Sequence, residues 1–331
     1  MKIVIATGIY PPQIGGPAQY AKNLALAFES LGHAVSVVHY KFENLLPTGL
    51  RHVFFFLRVF GRMLKADFVV SLDSFSVGFP TAVATGILGK KHVMRTGGDF
   101  LWESYVERTG DTVLLKNFYD TRLAKLSFKE KVIFSLTKWT LKKADKVVFS
   151  TDWQRSIWAR PYEMNWQNTA IIENYYGPKE KSEKPTVKTF LGATRKLKWK
   201  NHARLKSAFA MAKVKERDIE LDLENEPYDK FIQKMKKCYA VVLLSLGDIS
   251  PNMILDSVRF SKPFILTREN GLYDRLKDVG MFADPEDEND IAEKIKDLCQ
   301  PEVYEEYRRR VEGFTFVHTY EDIAKEFLSL S

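Results

Sequence analysis

Lys2-Ile-Val-Ile-Ala-Thr7, the loop Gly8-Ile-Tyr-Pro-Pro-Gln-Ile-Gly-Gly-Pro17, the run Ala18 to Leu31, then Gly32-His33 and Ala34 to Val38 decide the fold class. They read as a buried strand, a Gly/Pro loop, an amphipathic helix and a second strand. A short apolar strand that turns through glycines into a helix opens a parallel α/β nucleotide-binding domain. Gly15 and Gly16 have no side chains, so backbone N–H groups beside a helix N-terminus can closely approach a phosphate or sugar. The dinucleotide fingerprint G-x-G-x-x-G is absent, and the loop is too long for the tight turn it needs. A surface loop that merely joins strand to helix is the alternative at this point.

Working outward, the same alternation continues. Strands are expected at Asp67 to Leu72, His92 to Thr96 and Lys146 to Ser150, with helices at Ser76 to Leu88, across Asp120 to Lys143, and from Asp152 onward. Alternating strands and helices of this length specify a parallel sheet covered on both faces. The polar run Gly177-Pro-Lys-Glu-Lys-Ser-Glu-Lys-Pro185 has the composition of a linker or exposed loop. Beyond it, strands are expected at Val187 to Leu191, Ala240 to Leu246, Pro263 to Thr267 and Met281 to Ala283, and helix over Glu302 to Leu330. A chain of 331 residues suits two domains of roughly 150 residues each. The division expected is 1–175, 176–310 (abbreviated, with little between Lys215 and Ala240), and a C-terminal helix at 311–331 returning to the first domain.

Composition bounds the rest. Hydrophobic content of 45% with 28% charged residues is that of a globular protein. Met1-Lys2 leads directly into a strand, which argues against a signal sequence, and no apolar run is long enough to span a membrane. Cys238 and Cys299 are far apart and lack partners at metal spacing, which fits a reducing cytoplasm without a structural disulfide or zinc site. The first 175 residues carry 22 Lys/Arg against 14 Asp/Glu, so the whole excess of +8 lies there and points to an anionic partner. The segment Leu50 to Lys65 places Arg51, Arg58, Arg62 and Lys65 at helical spacing beside a broad apolar side. With the basic run Lys116, Arg122, Lys125, Lys129, Lys131 and Lys138, it allows peripheral contact with an anionic membrane. The alternative is that Phe54, Phe55, Phe56 and Phe60 are core packing. No nucleic-acid recognition motif is present.

Two further stretches carry candidate chemistry. Gly192-Ala-Thr-Arg195-Lys-Leu-Lys-Trp-Lys200 joins a strand to a helix. Arg195 offers a planar multi-donor group and Lys200 a compact charge, a pair suited to a diphosphate that gains charge as a bond breaks. A solvated basic loop is the plainer alternative. Leu246-Gly-Asp248-Ile-Ser-Pro-Asn-Met-Ile-Leu-Asp256 follows a buried strand and presents a helix N-terminus to an anion. Asp256, further into that helix, is within reach of a ribose hydroxyl; otherwise it is a solvent-facing residue and Asp248 a turn residue.

In this order and spacing the segments resemble the retaining glycosyltransferases of family 4, bacterial type, over essentially the whole chain. Tyr10-Pro-Pro-Gln-Ile-Gly-Gly-Pro-Ala-Gln-Tyr20 looks like the family's glycine loop, and Gly97-Gly-Asp99-Phe-Leu-Trp102-Glu103 resembles a "Gly-Asp…Trp-Glu" signature. Ile171-Ile-Glu-Asn174 looks like the inter-domain crossing. Arg195 and Lys200 match the pair on the donor diphosphate, while Thr267-Arg-Glu-Asn-Gly271-Leu and Phe282-Ala-Asp284-Pro285 resemble later loops. The chain departs in having Asp248 and Asp256 where the family has two glutamates, and Asn201 where it has glycine. The resemblance implies a GT-B fold, two Rossmann-like α/β domains with parallel sheets facing a cleft, and sugar transfer with retention from a nucleotide-sugar.

It also implies no metal or other cofactor, because the departing diphosphate helps to deprotonate the acceptor during same-face attack. Asp99, Arg195, Lys200 and Asp248 would be catalytic. Gly16, Arg195, Lys200, Ile249, Ser250, Asn252 and Asp256 would bind the donor, and Gly15, Tyr10, Asp99 and Glu103 a glycan or lipid-linked acceptor. A cytoplasmic place, at the inner face of the cytoplasmic membrane, in cell-envelope polysaccharide synthesis follows from the same resemblance. A non-catalytic GT-B glycan- or partner-binding protein is the alternative that the aspartate substitutions motivate; a GT-B epimerase or phosphorylase is a third.

Overall fold

The computed structural model of the protein describes residues 1–13 and 15–331; Ile14, within the Gly8–Pro17 loop, lies outside the described residues. The chain divides into two compact units, one of residues 1–101, 124–174 and 318–331, the other of residues 102–123 and 175–317. The first half thus lends residues 102–123 to the second unit, and the C-terminal segment joins the first unit from His318 onward.

In the first unit β1 (Lys2–Thr7), β2 (Ala34–His39), β3 (Phe68–Ser71), β4 (Lys91–Arg95), β5 (Lys146–Phe149) and β6 (Thr169–Ile171) form one sheet in the order β2-β1-β3-β4-β5-β6. Every pairing is parallel, with Ile3 beside both Val35 and Phe68. Strand order reverses at β1 and β3, so the Gly8–Pro17 loop and the Asp73 turn flank a topological switch point, where open α/β sheets place ligands. The helices start and stop on local chemistry. Ser127 and Glu130 form a capping box for the helix Phe128–Lys143, and Thr319 and Asp322 do so for Tyr320–Ser329. Gly89, left-handed, ends the helix Gly78–Leu88. The C-terminal helix packs on the helix Gly16–Ser30 through the ring pairs Tyr20–Tyr320 and Phe28–Phe327.

The basic aromatic segment is a helix, Thr48–Met63, and its phenylalanines divide between two environments. Phe55, Val59 and Met63 are fully buried against β1 and β3, with Phe56 and Phe60 partly buried on the same cluster. Core packing therefore accounts for three of the four phenylalanines, whereas Phe54 is exposed with Leu50, Val53, Leu57 and Leu64. Two of the arginines at that helical spacing are held by the protein itself. Arg58 pairs with the buried Glu43, and Arg51 donates to the Glu43 carbonyl oxygen.

In the second unit β7 (Lys188–Leu191), β8 (Ile219–Asp222), β9 (Ala240–Leu243), β10 (Phe264–Thr267) and β11 (Met281–Ala283) form a second parallel sheet in the order β11-β10-β9-β7-β8. Its central strands β9 and β10 are buried along their whole length because alternate side chains feed opposite layers. Ala240, Val242 and Ile265 join one core, and Val241, Leu243, Phe264 and Leu266 the other. The interval between Lys215 and Ala240 holds β8 and the helix Tyr228–Lys237. The charged run 177–185 is strapped to this unit: Glu180 N–H donates to the Arg259 carbonyl, Glu183 N–H to that of Lys236, and the Arg259 guanidinium grips the Glu180 carboxylate at 2.9 Å through Nε.

Candidate functional site

The second sheet also reverses order, between β7 and β9, and the loops leaving those two strands carry both basic and acidic candidates. After β7 the chain passes Arg195, makes a short 3-10 turn at Lys198–Lys200 and enters the helix His202–Lys213. After β9 it passes Ser245 and Asp248 into the helix Asn252–Arg259. The two loops meet: Lys200 Nζ lies 2.6 Å from Asp248 Oδ2, which also accepts from Ser245 Oγ at 2.9 Å. Both ionic side chains are nearly enclosed, 12% and 11% exposed. Asp248 N–H donates to the Glu269 carbonyl and Gly271 N–H to the Asp248 carbonyl, so the loop after β10 fixes the aspartate's backbone. Lys200 Nζ also stands 4.1 Å from the Trp199 ring centroid, a cation–π contact. Arg195 is exposed, with no side-chain hydrogen bond or ion pair among the described residues.

Asn201, where the resemblance leads one to expect glycine, has a left-handed backbone. Its φ is 59°, a conformation asparagine tolerates better than most residues. Its buried side-chain amide donates to the carbonyls of Leu244 and Pro285 at 3.0 and 2.8 Å, tying the Lys200 turn to β9 and to the loop after β11.

Beyond Asp248, Ile249 is buried and Ser250 partly so, while Asn252 is exposed at the start of a helix that has Pro251 at its N-cap and no side-chain cap. Such a start offers first-turn backbone N–H groups to an acceptor from outside. Asp256 keeps different company from Asp248. Its Oδ1 accepts from Tyr228 Oη at 3.4 Å and lies 3.8 Å from Arg259. Burial pushes its carboxyl up to about 7, with Arg259 and Tyr228 opposing the shift. A raised carboxyl pKa in the folded state means stability is lost as pH climbs from the ordinary range, near 4, through 7. Asp256→Asn should therefore stabilise the protein at pH 8 relative to pH 5 by about 2 kcal/mol, half the ceiling that a shift of this size sets. Urea unfolding of both proteins at the two pH values checks this, and an equal ΔΔG at both would refute it.

In the first unit Tyr10 stacks on His39, 5.4 Å between ring centroids, and Gln13 closes the turn on Tyr10. Gly15 is the N-cap residue of the helix that begins at Gly16; its carbonyl accepts from Ala18 and Gln19, and no side chain caps the helix. Asp99 is buried and its Oδ2 accepts from Trp158 Nε1 at 2.7 Å. Arg95, just before it, donates to Asn174 and lies 3.9 Å from the Tyr20 ring centroid. Glu103, part of the same sequence motif as Asp99, is partly buried and belongs to the second unit. Among the described residues no group of three or more His, Cys, Asp or Glu side chains could hold a metal ion. Ser245, Trp199 and Glu269 are site residues that motif reading missed. Ser245 and Trp199 lay beside quoted candidates, and Glu269 inside a quoted loop, with no spacing that singled them out.

Two α/β units, each a parallel sheet with helices on both faces, define the GT-B class of glycosyltransferase folds. No family model and no curated protein matches the chain. Solved structures do. Sucrose-phosphate synthase from Thermosynechococcus elongatus is similar at a TM-score of 0.71 with 13% identity, covering 99% of this chain and 98% of that one. HepE from Anabaena, solved in complex with UDP and glucose, is similar at 0.67 with 15% identity over 99% of both chains. The lipopolysaccharide outer core galactosyltransferase WaaB is similar at 0.62 with 14% identity, over 100% of this chain and 99% of that one.

Proposed function

We propose that this protein transfers a hexose from a nucleotide-sugar to a glycan or lipid-linked acceptor, with retention and without a metal. The observation that carries the reading is the convergence of Lys200 and Asp248 at the switch point of the second sheet, beside an uncapped helix start. A cation enclosed there suits a diphosphate, and the solved structure with UDP and glucose has the same fold.

In this reading Arg195 and Lys200 hold the diphosphate, the Ile249–Asn252 backbone accepts the distal phosphate or the sugar, and Asp256 takes a ribose hydroxyl. The bond from the anomeric carbon to the diphosphate oxygen breaks as the acceptor oxygen bonds to that carbon on the same face. The acceptor's proton passes to the departing diphosphate oxygen, whose growing charge Arg195 and Lys200 stabilise. Gly15, Gly16, Tyr10, Asp99 and Glu103 serve the acceptor side.

The test is a panel of UDP-, GDP-, ADP- and dTDP-sugars at millimolar levels, read by thermal shift and by donor hydrolysis. At 100-fold excess over Kd a bound nucleotide stabilises by about 2.7 kcal/mol, a readily measured shift. No stabilisation by any nucleotide would sink the donor site. Stabilisation without hydrolysis or transfer to any glycan acceptor would favour the binding-protein alternative that the aspartates suggest.

A further inference from the structure

Residues from the excursion 102–123 pack over the two loops that carry Lys200 and Asp248. A Cβ on Gly247 would lie 2.5 Å from Leu115 Cβ and 3.3 Å from Trp102, so only glycine fits under this wall. Leu115 N–H donates to the Leu246 carbonyl at 3.1 Å, and Trp102 packs on Trp199 with ring centroids 5.5 Å apart. The next residue supplies charge: Lys116 Nζ lies 2.5 Å from Glu269 Oε1. Glu269 is 6% exposed, and its second oxygen, Oε2, is buried without a hydrogen-bond partner among the described residues.

A buried carboxylate oxygen left unpaired is costly and is rare in folded proteins unless something else donates to it. Glu269 is also one backbone hydrogen bond from Asp248, because its carbonyl holds the Asp248 N–H. An apolar and aromatic wall meeting a single oriented carboxylate is the chemistry of a sugar subsite: C–H faces lie on the rings and a hydroxyl donates to the carboxylate.

We propose that Glu269 is a specificity-determining residue that accepts a hydrogen bond from a donor-sugar hydroxyl through Oε2, and that Lys116, paired with Oε1, is the positioning residue that keeps the carboxylate aimed. This rests on the donor-site reading above and deepens it. Glu269 has no part in gripping the diphosphate, so its loss separates sugar from nucleotide.

The experiment compares the affinities of a free nucleoside diphosphate and its sugar ester for wild type, Glu269→Gln and Lys116→Met. The probes are UDP with UDP-glucose, GDP with GDP-mannose, ADP with ADP-glucose and dTDP with dTDP-glucose. Glu269→Gln should weaken the sugar ester about tenfold, the scale of a hydrogen bond to a charged group, and leave the free nucleotide within twofold. Lys116→Met, at a half-exposed side chain, should reproduce that selective loss several-fold and serves as the reading if Glu269→Gln unfolds. An unchanged ratio of the two affinities, or an equal loss of both, overturns the proposal. Failure of every nucleotide to bind wild type is a distinct result that removes the donor site itself.

Discussion

Lys200→Ala should lower turnover by about 100-fold or more, the cost of removing one preorganised charge from a site where negative charge develops. It should also destabilise the protein, because among the described residues the Asp248 carboxylate would keep only the Ser245 hydroxyl while remaining nearly enclosed. Stranding one member of a buried pair costs about 3–5 kcal/mol, and the slight exposure here places the expectation at the lower end. The two effects separate in a cycle. Lys200→Ala with Asp248→Asn removes the stranded charge, so the double variant should recover most of the stability and none of the turnover. Arg195→Ala is the complementary case: the side chain is exposed and unpaired among the described residues, so melting should stay put while turnover falls tenfold or more. Chemical denaturation alongside steady-state kinetics on the responding donor checks all three. Wild-type turnover in Lys200→Ala would remove the diphosphate assignment outright.

Gly78→Ala should destabilise the first unit by about 3 kcal/mol, the upper end of ordinary overpacking, because the new methyl meets backbone and not a yielding side chain. A Cβ there would lie 2.2 Å from the carbonyl oxygen of Asp73 and 3.4 Å from Met94 Sδ. The Asp73 carboxylate meanwhile accepts from the N–H groups of Phe75, Val77 and Gly78 at 2.9 to 3.0 Å, so the turn cannot open without losing those bonds. The same Asp73 side chain lies 3.8 Å from where a Cβ on Gly8 would sit, so the turn supports the start of the opening loop. Gly86→Ala in the same helix is the internal control. It is exposed with nothing within 4 Å, and should stabilise by about 0.5–1 kcal/mol through backbone entropy alone. Opposite signs for two Gly→Ala changes in one helix are the expected result of thermal melts. A loss of less than 1 kcal/mol at Gly78 would mean the turn relaxes cheaply.

The elements most legible in sequence were those whose signal is local. β1 and β11 fall where the apolar runs end, and the charged run 177–185 was recognisable as lying outside the cores. β6 and β8 were missed because each is short and partly exposed, Thr169-Ala-Ile171 and Ile219-Glu-Leu-Asp222, so neither has an apolar run to announce it. They are strands because a neighbouring strand offers a parallel ladder. Pattern reading likewise placed Arg51 and Arg58 at helical spacing beside an apolar side, since the periodicity of one helix carries no word of Glu43.

What the sequence by itself determined is the class: strands alternating with helices in two halves, glycines and prolines in the first loop, and basic residues at one strand-to-helix turn. These are consequences of backbone propensity and of burial on two faces, which local composition encodes. What only the tertiary structure decided is which candidates meet. Lys200 and Asp248, far apart in the chain, come together because strand order reverses between β7 and β9. Asp256, eight residues beyond Asp248, is carried off to Tyr228 and Arg259 because a helix turns its side chains through successive faces. Glu269 becomes a site residue only because Lys116 and Leu115 return from the first half of the chain to lie over its loop. Parallel sheets are paired through long crossovers, so the partners of each loop are set by topology, which no window of sequence contains.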